Sequence, residues 1–192
     1  MPKRIHTLLL RCALPLLLLF CSLPALRAQQ VAVKTNGLML AAMAPNVGCE
    51  FVVGERSSID LSAFGSVKVY GNKAKIIGFQ PEYRYWFNGR PMTREFVGIA
   101  ALGATYDITW GRHIYQGDAA GAGVTFGYSF NLSKRLNVEC YGGFGAVYFR
   151  QKQYYVNDNF EDFIENGAAR ANATGYKLLP IKLGVSISYI LK

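Results

Sequence analysis

From Val47 onward, apolar and polar residues take turns along the chain. Val47, Cys49, Phe51 and Val53 alternate with Gly48, Glu50 and Val52, and Ile59, Leu61, Ala63, Val67 and Val69 alternate with Asp60, Ser62, Ser66 and Lys68. Ile77, Phe79, Tyr83, Tyr85 and Phe87 then oppose Gly78, Gln80, Glu82, Arg84 and Trp86, and a further apolar set is Phe96, Ala100, Leu102, Ala104, Tyr106 and Ile108. Val124, Phe126, Tyr128, Phe130 and Leu132 oppose Gly123, Thr125, Gly127, Ser129 and Asn131, while Leu136, Val138, Cys140, Phe144 and Tyr148 oppose Asn137, Glu139, Gly143 and Gly145. The last segment sets Ile181, Leu183, Val185, Ile187, Tyr189 and Leu191 against Lys182, Gly184, Ser186 and Ser188. A period of two puts successive side chains on opposite faces of a strand. With a first strand over Val31 to Ala44, the pattern predicts eight strands, each with one apolar and one polar face.

The polar face decides which side meets water. It is made of Gly, Ser, Thr and Asn with a few charges of mixed sign, too little to coat a wet exterior but suited to a narrow lumen. The fold expected is therefore all-β: an eight-stranded antiparallel transmembrane β-barrel with a polar, side-chain-filled lumen and its apolar face on lipid. In hydrocarbon an open strand edge would leave backbone groups unpaired, so the last strand is expected to pair with the first. Tyr83, Tyr85, Phe87, Tyr106, Trp110, Phe130, Tyr148 and Tyr189 fall near strand ends, where aromatic girdles form. Links at Gly54–Ser57, Asn88–Thr93 and Ser133–Arg135 read as short turns, and Tyr70–Lys75, Gly111–Asp118 and Gln153–Gly175 as longer loops at the other end.

The start of the chain adds a compartment. Lys3, Arg4 and Arg11 precede an apolar stretch from Cys12 to Leu23, and Leu26-Arg27-Ala28 supplies a small residue for cleavage, so residues 1–28 read as a secretory signal peptide and 29–192 as the barrel domain. The stretch is shorter than the ~20 residues of a spanning helix. The whole chain has 21 Lys and Arg against 12 Asp and Glu; without the leader's four basic residues 17 remain, an excess of five, too modest to argue for nucleic acid. The expected location is the outer membrane of a Gram-negative cell. Cys49 and Cys140 fall on the apolar phase and read as small hydrophobes, with one disulfide as the alternative.

Candidate chemistry lies on the polar face. Lys34, Glu50, Asp60, Lys68, Glu82, Arg84, Glu139 and Lys182 form a lumen set of four acids and four bases, and balanced charge in so narrow an interior reads as a salt-bridged plug. Arg84 is placed to bridge carboxylates such as Glu139 or Asp60. The alternatives are a narrow pore and, less favoured, a lipid-modifying enzyme, for which His113 with Asp107 and Asp118 is the sole histidine group after the leader. No catalytic residue, metal site or cofactor is expected. Within the 153–175 loop, Asp158 to Gly167 reads as a short amphipathic helix presenting Phe160, Phe163 and Ile164, a candidate surface for a protein partner.

Lys182 to Tyr189 resembles the closing-strand signal read by outer-membrane assembly machinery, which is thus an expected partner alongside membrane lipid. Lys34-Thr35-Asn36, Ala44-Pro45-Asn46-Val47-Gly48-Cys49-Glu50, Gln80-Pro81-Glu82-Tyr83-Arg84-Tyr85-Trp86-Phe87 and Gly142-Gly143-Phe144-Gly145 together resemble a family of small outer-membrane barrels common in Bacteroidetes and catalogued as a domain of unknown function. The resemblance implies the barrel fold and a link to surface-structure biogenesis but supplies no activity; the narrow lumen itself points to a structural or surface-interaction role, by anchoring or loop-mediated binding.

Overall fold

The computed structural model describes residues 30–69, 72–156, 164–165, 168–169 and 173–191. The leader, Phe160 and Phe163 lie outside these residues. Eight antiparallel strands close into a ring: β1 (Val31–Asn36), β2 (Asn46–Val52), β3 (Ser57–Val69), β4 (Asn72–Trp86), β5 (Arg94–Trp110), β6 (His113–Asn131), β7 (Leu136–Tyr155) and, after a small hairpin of β8 (Ile164–Glu165) and β9 (Ala168–Ala169), the closing strand β10 (Ala173–Ile190). β1 pairs with β10 from Ala32↔Ile190 to Asn36↔Ser186, which joins the two ends of the sheet.

The two faces are reversed relative to a water-soluble barrel. Glu50, Asp60, Glu82, Arg84, Glu139 and Ser188 are buried inside, whereas Ile77, Ile99, Val124, Phe126, Phe144, Leu183 and Ile187 stand exposed outside. Both cysteines among the described residues are free, Cys140 exposed and Cys49 half-buried on the outer phase. Among the described residues no helix is long and apolar enough to cross a membrane.

Several sequence expectations give way to local chemistry. The first strand stops at Asn36 rather than running to Ala44, because the Asn36 side chain accepts from the amides of Leu38 (3.0 Å) and Met39 (3.4 Å) and starts a short helix, α1 (Gly37–Ala41). Asn46 holds this detour closed: its amide donates to the Asn36 carbonyl (3.0 Å), and its side-chain oxygen accepts from the Asn36 amide (2.6 Å). The expected long loops at Tyr70–Lys75 and Gly111–Asp118 shrink to residues 70–71 and 111–112, since the ladders run on to Lys68↔Lys73 and Trp110↔His113. Short and long links therefore do not alternate around the ring. Ile164 and Glu165 pair with Ala169 and Ala168 as strand, not as the last turn of a helix.

Three phase corrections bear on the lumen. Phe96 and Ala100 on β5 face inward and are 2 % exposed, and the exposed outer positions are Val97 and Ile99; both phases of this strand are apolar, so alternation alone could not orient it. A bulge between Pro180 and Lys182 turns Ile181 inward beside Lys182. A second irregularity, between Ser66 and Lys68, turns Lys68 out of the lumen to an exposed position opposite Lys73.

A buried charge network as candidate functional site

The termini-side end of the barrel, here the turn end, carries the links 53–56, 87–93 and 132–135. The 87–93 turn folds back under the lumen. Met92 is 1 % exposed at a positive φ of 59°, a conformation costly for a bulky residue, and its carbonyl accepts from Ser129 Oγ (3.1 Å), Asn131 Nδ2 (3.3 Å) and Asn137 Nδ2 (2.9 Å). Its side chain packs with Trp86, Phe96, Tyr141 and Ala32 into an apolar floor.

Charge sits directly above this floor. Glu50, Asp60 and Glu82 are register partners across β2, β3 and β4, three carboxylates side by side, and Glu139 faces them from β7. Like charges set opposite one another repel, so the arrangement requires cations between them. Arg84 supplies a planar fork: Nη1 lies 3.1 Å from Glu50 and 2.9 Å from Glu139, and Nη2 lies 3.1 Å from Asp60 and 2.9 Å from Glu82. Lys34 from β1 pairs with Glu50, with Asp60 (2.9 Å) and with Glu139 (3.0 Å), and Lys182 from β10 pairs with Glu82 (2.6 Å) and Asp60 (3.4 Å). The guanidinium carbon of Arg84 rests 4.4 Å from the centre of the Phe96 ring, which covers its underside.

Neutral donors reach two of the four carboxylates, Glu50 and Glu82. Trp86 Nε1 donates to Ser58 Oγ (2.8 Å), Ser58 Oγ donates to Glu50 Oε1 (2.5 Å), and Thr125 Oγ1 donates to Glu82 Oε1 (2.5 Å). Gly98 makes room for the last bond, because a Cβ there would stand 2.5 Å from Thr125 Oγ1 and 2.7 Å from Glu82 Oε1. Glu139 Oε1 and Arg84 Nε have no hydrogen-bond partner. The network thus unites Lys34, Glu50, Asp60, Glu82, Arg84, Glu139 and Lys182, each at most 5 % exposed, and omits Lys68. Its formal balance is three cations against four carboxylates.

Polar reach continues toward the opposite, loop end. Gln80 Nε2 crosses the lumen to the Ile181 carbonyl (2.6 Å), Asn36 Nδ2 donates to the Leu183 carbonyl (2.9 Å), and Tyr141 and Ser186 share a hydrogen bond (2.7 Å). The space left among Lys34, Met39, Asp60, Gln80 and Lys182 is about 20 Å³, room for about one water. Ala100, Val147 and Ile181, with Ala119 packed on them, form an apolar layer in the lumen wall. Sequence reasoning missed the floor of Met92 and Phe96 and the paired Asn36 and Asn46; the last two stand in the quoted motifs, where a side-chain amide beside a strand end was the available signal.

His113 is not in a loop. It opens β6 opposite Trp110, its ring 4.4 Å from Tyr155, whereas Asp118 lies five residues along the strand and accepts from Thr105 Oγ1 (2.8 Å), and Asp107 lies 3.6 Å from Lys73.

An apolar-outside ring with a sealed ionic interior defines the molecule as a closed, inverted eight-stranded antiparallel barrel. The family described as "Protein of unknown function (DUF3575)" matches residues 14–191, and the chain belongs to that family. No curated protein matches the chain. Among solved structures it is similar to the crystal structure of Neisserial surface protein A, with 12 % identity over 84 % of this chain and 90 % of that one at a TM-score of 0.37.

Proposed function

We propose that this protein is an outer-membrane β-barrel with a structural or surface-interaction role, anchored in lipid through its wall and contacting partners through its loop end. The observation that carries the reading is the inversion of faces: Ile99, Val124, Phe126, Phe144 and Leu183 are between 54 % and 67 % exposed on the outside while seven charged side chains are sealed within. Burying so many charges beside so exposed an apolar wall is stable only where the outer solvent is hydrocarbon. Transport is the less favoured role, because the ionic layer and the Met92 turn leave no continuous aqueous path among the described residues. The lumen charges are engaged in ion pairs with one another, which supports a non-enzymatic barrel. Insertion by the assembly machinery, a surface protein partner at the 153–175 loop and a link to surface-structure biogenesis belong to the same proposal.

Two measurements test it together. The purified full chain is expected to need detergent to remain monodisperse and, in planar bilayers, to carry no steady current at ordinary voltage. Monodisperse protein in plain buffer would overturn the membrane reading. Steady ion current would overturn the sealed role in favour of a pore.

A further inference from the structure

The loop half of the barrel has a wall with a gap. β2 pairs with β3 only as far as Asn46↔Phe64, followed by a bond from the Gly65 amide to the Pro45 carbonyl (2.9 Å). β1 pairs with β10 only as far as Asn36↔Ser186, whereas β10 continues back to Ala173. Among the described residues no strand joins β3 beyond Gly65 to β10 before Ser186. Helix α1 and the turn after it lie across the lower edge of this gap with Leu38, Leu40 and, in the turn, Met43 about half exposed, and Met39 turned toward the ionic layer.

The outer apolar belt runs past the gap. On β10 its exposed positions continue from Val185 and Leu183 to Leu178 and Tyr176, both 79 % exposed, and Val67 on β3 and Ile77 on β4 mark the same level. Outward charge begins beyond them, at Lys68, Lys73, Lys75 and Arg150, with Asp107 and Asp118 opposite the last two. The gap therefore opens within the belt. Behind it Ile76, Leu102, Ala104, Phe149 and Leu179 share the inner phase above the layer of Ala100, Val147 and Ile181, together with Lys177 opposite Val147 and the hydrogen-bonded pair of Tyr106 and Gln151 (2.7 Å). Leu179 faces inward, as the partner of buried Gly145, yet is 42 % exposed. At the mouth, Lys177 stands over the Phe149 ring at 5.2 Å.

We propose that this loop-side half of the lumen binds one acyl chain of an anionic lipid, admitted sideways through the gap between β3 and β10 above α1. The proposal rests on the outer-membrane reading. An unpaired strand edge in hydrocarbon is tolerated where it borders a cavity, and an apolar cavity continuous with the lipid belt fills with lipid tails before water. The exposed cations Lys68, Lys75 and Arg150 around the mouth, with Lys177 on the inner phase, outnumber the acids Asp107, opposite Lys75 and beside Lys73, and Asp118, opposite Arg150, which leaves net positive charge for a phosphate-bearing headgroup.

The test uses the full chain in phosphatidylglycerol vesicles containing a trace of phosphatidylglycerol with a photoreactive diazirine in mid-chain. After irradiation, adducts are expected on inward Leu102, Phe149 and Leu179 as well as on outward Ile99 and Val124. Ala104→Trp, which fills the cavity, is expected to lower the inward adducts at least tenfold and leave the outward ones unchanged; Leu179→Asp serves if the first variant loses heat-modifiable gel mobility. Outward adducts without inward ones would overturn the acyl site and leave the barrel reading standing, whereas no adducts on either face would overturn the barrel reading itself. Inward labelling that persists in both folded variants, or that arises only when 157–172 is deleted, would also overturn the acyl site. A phosphatidylcholine probe is expected to label the inward residues several-fold less, and equal labelling would overturn the anionic preference.

Discussion

The two halves of the lumen solve opposite problems. Toward the turn end, the interior is filled: Met92, Trp86 and Phe96 form a floor, and seven charged side chains interlock above it. Toward the loop end the inward residues Leu102, Ala104, Phe149 and Leu179 line a wall on which little packs, and two of the eight strands stop short. The same ring of backbone hydrogen bonds thus supports a densely paired layer below and, among the described residues, partly exposed inward side chains above. The difference teaches that stability should be concentrated in the lower half, and substitutions can measure how sharply.

The largest effect is expected at Arg84. It reaches all four carboxylates, and removing one partner of a buried ionic group leaves uncompensated charge that costs about 3–5 kcal/mol. Arg84→Ala should therefore lower the urea midpoint of the refolded barrel and abolish its heat-modifiable gel shift at moderate temperature. Arg84→Lys should recover only part of the loss, since a single ammonium cannot present two parallel donors. An unchanged midpoint in Arg84→Ala would remove the contrast between the halves.

Met92→Ala comes next. The side chain is fully buried in the floor, and truncation of such a group costs about 2–5 kcal/mol by lost burial and cavity formation. The backbone should hold its turn, because the three bonds to the Met92 carbonyl do not involve the side chain. Urea titration of the folded fraction measures this, and conductance recordings should stay silent while the ionic layer is intact.

In the upper half, Leu179→Ala should cost less than about 1 kcal/mol by the same titration, because its side chain is exposed and leaves no closed cavity behind. A loss equal to that of Met92→Ala would mean the two halves are packed alike.

Most of the lower half was legible in the sequence, and the upper half was not, for a physical reason. Where one phase is polar and the other apolar, as in Gln80-Pro81-Glu82-Tyr83-Arg84-Tyr85, alternation fixes which side chains turn inward. Phe96 to Ala104 is apolar on both phases, with Phe96, Ala100, Leu102 and Ala104 inward and Val97, Ile99 and Ala101 outward, so the pattern carries no sign. Lys68 and Ile181 went astray at bulges, which shift the phase by one residue and leave little trace beyond Pro180 beside the second. The detour after Asn36 was hidden because Leu38, Met39 and Leu40 read as equally good strand or helix residues, and the two asparagines that settle it act through side-chain amides.

The smallest expected effect is also the most discriminating, because it separates charge balance from mere polarity within the lower half. Both oxygens of Glu82 are engaged: Thr125 on Oε1, Lys182 and Arg84 on Oε2. Glu139 binds Lys34 and Arg84 through Oε2 alone, and its Oε1 has no hydrogen-bond partner. With three cations facing four carboxylates, neutralising Glu139 removes the surplus negative charge at a carboxylate that has one oxygen already free of hydrogen bonds. Glu139→Gln should therefore leave the urea midpoint within about 0.5 kcal/mol of the parent or raise it, whereas Glu82→Gln should cost about 1–3 kcal/mol by weakening bonds to two buried cations. Equal losses in the two variants would mean that the surplus charge is compensated elsewhere and that the ionic layer does not act as the closed set of seven side chains described above.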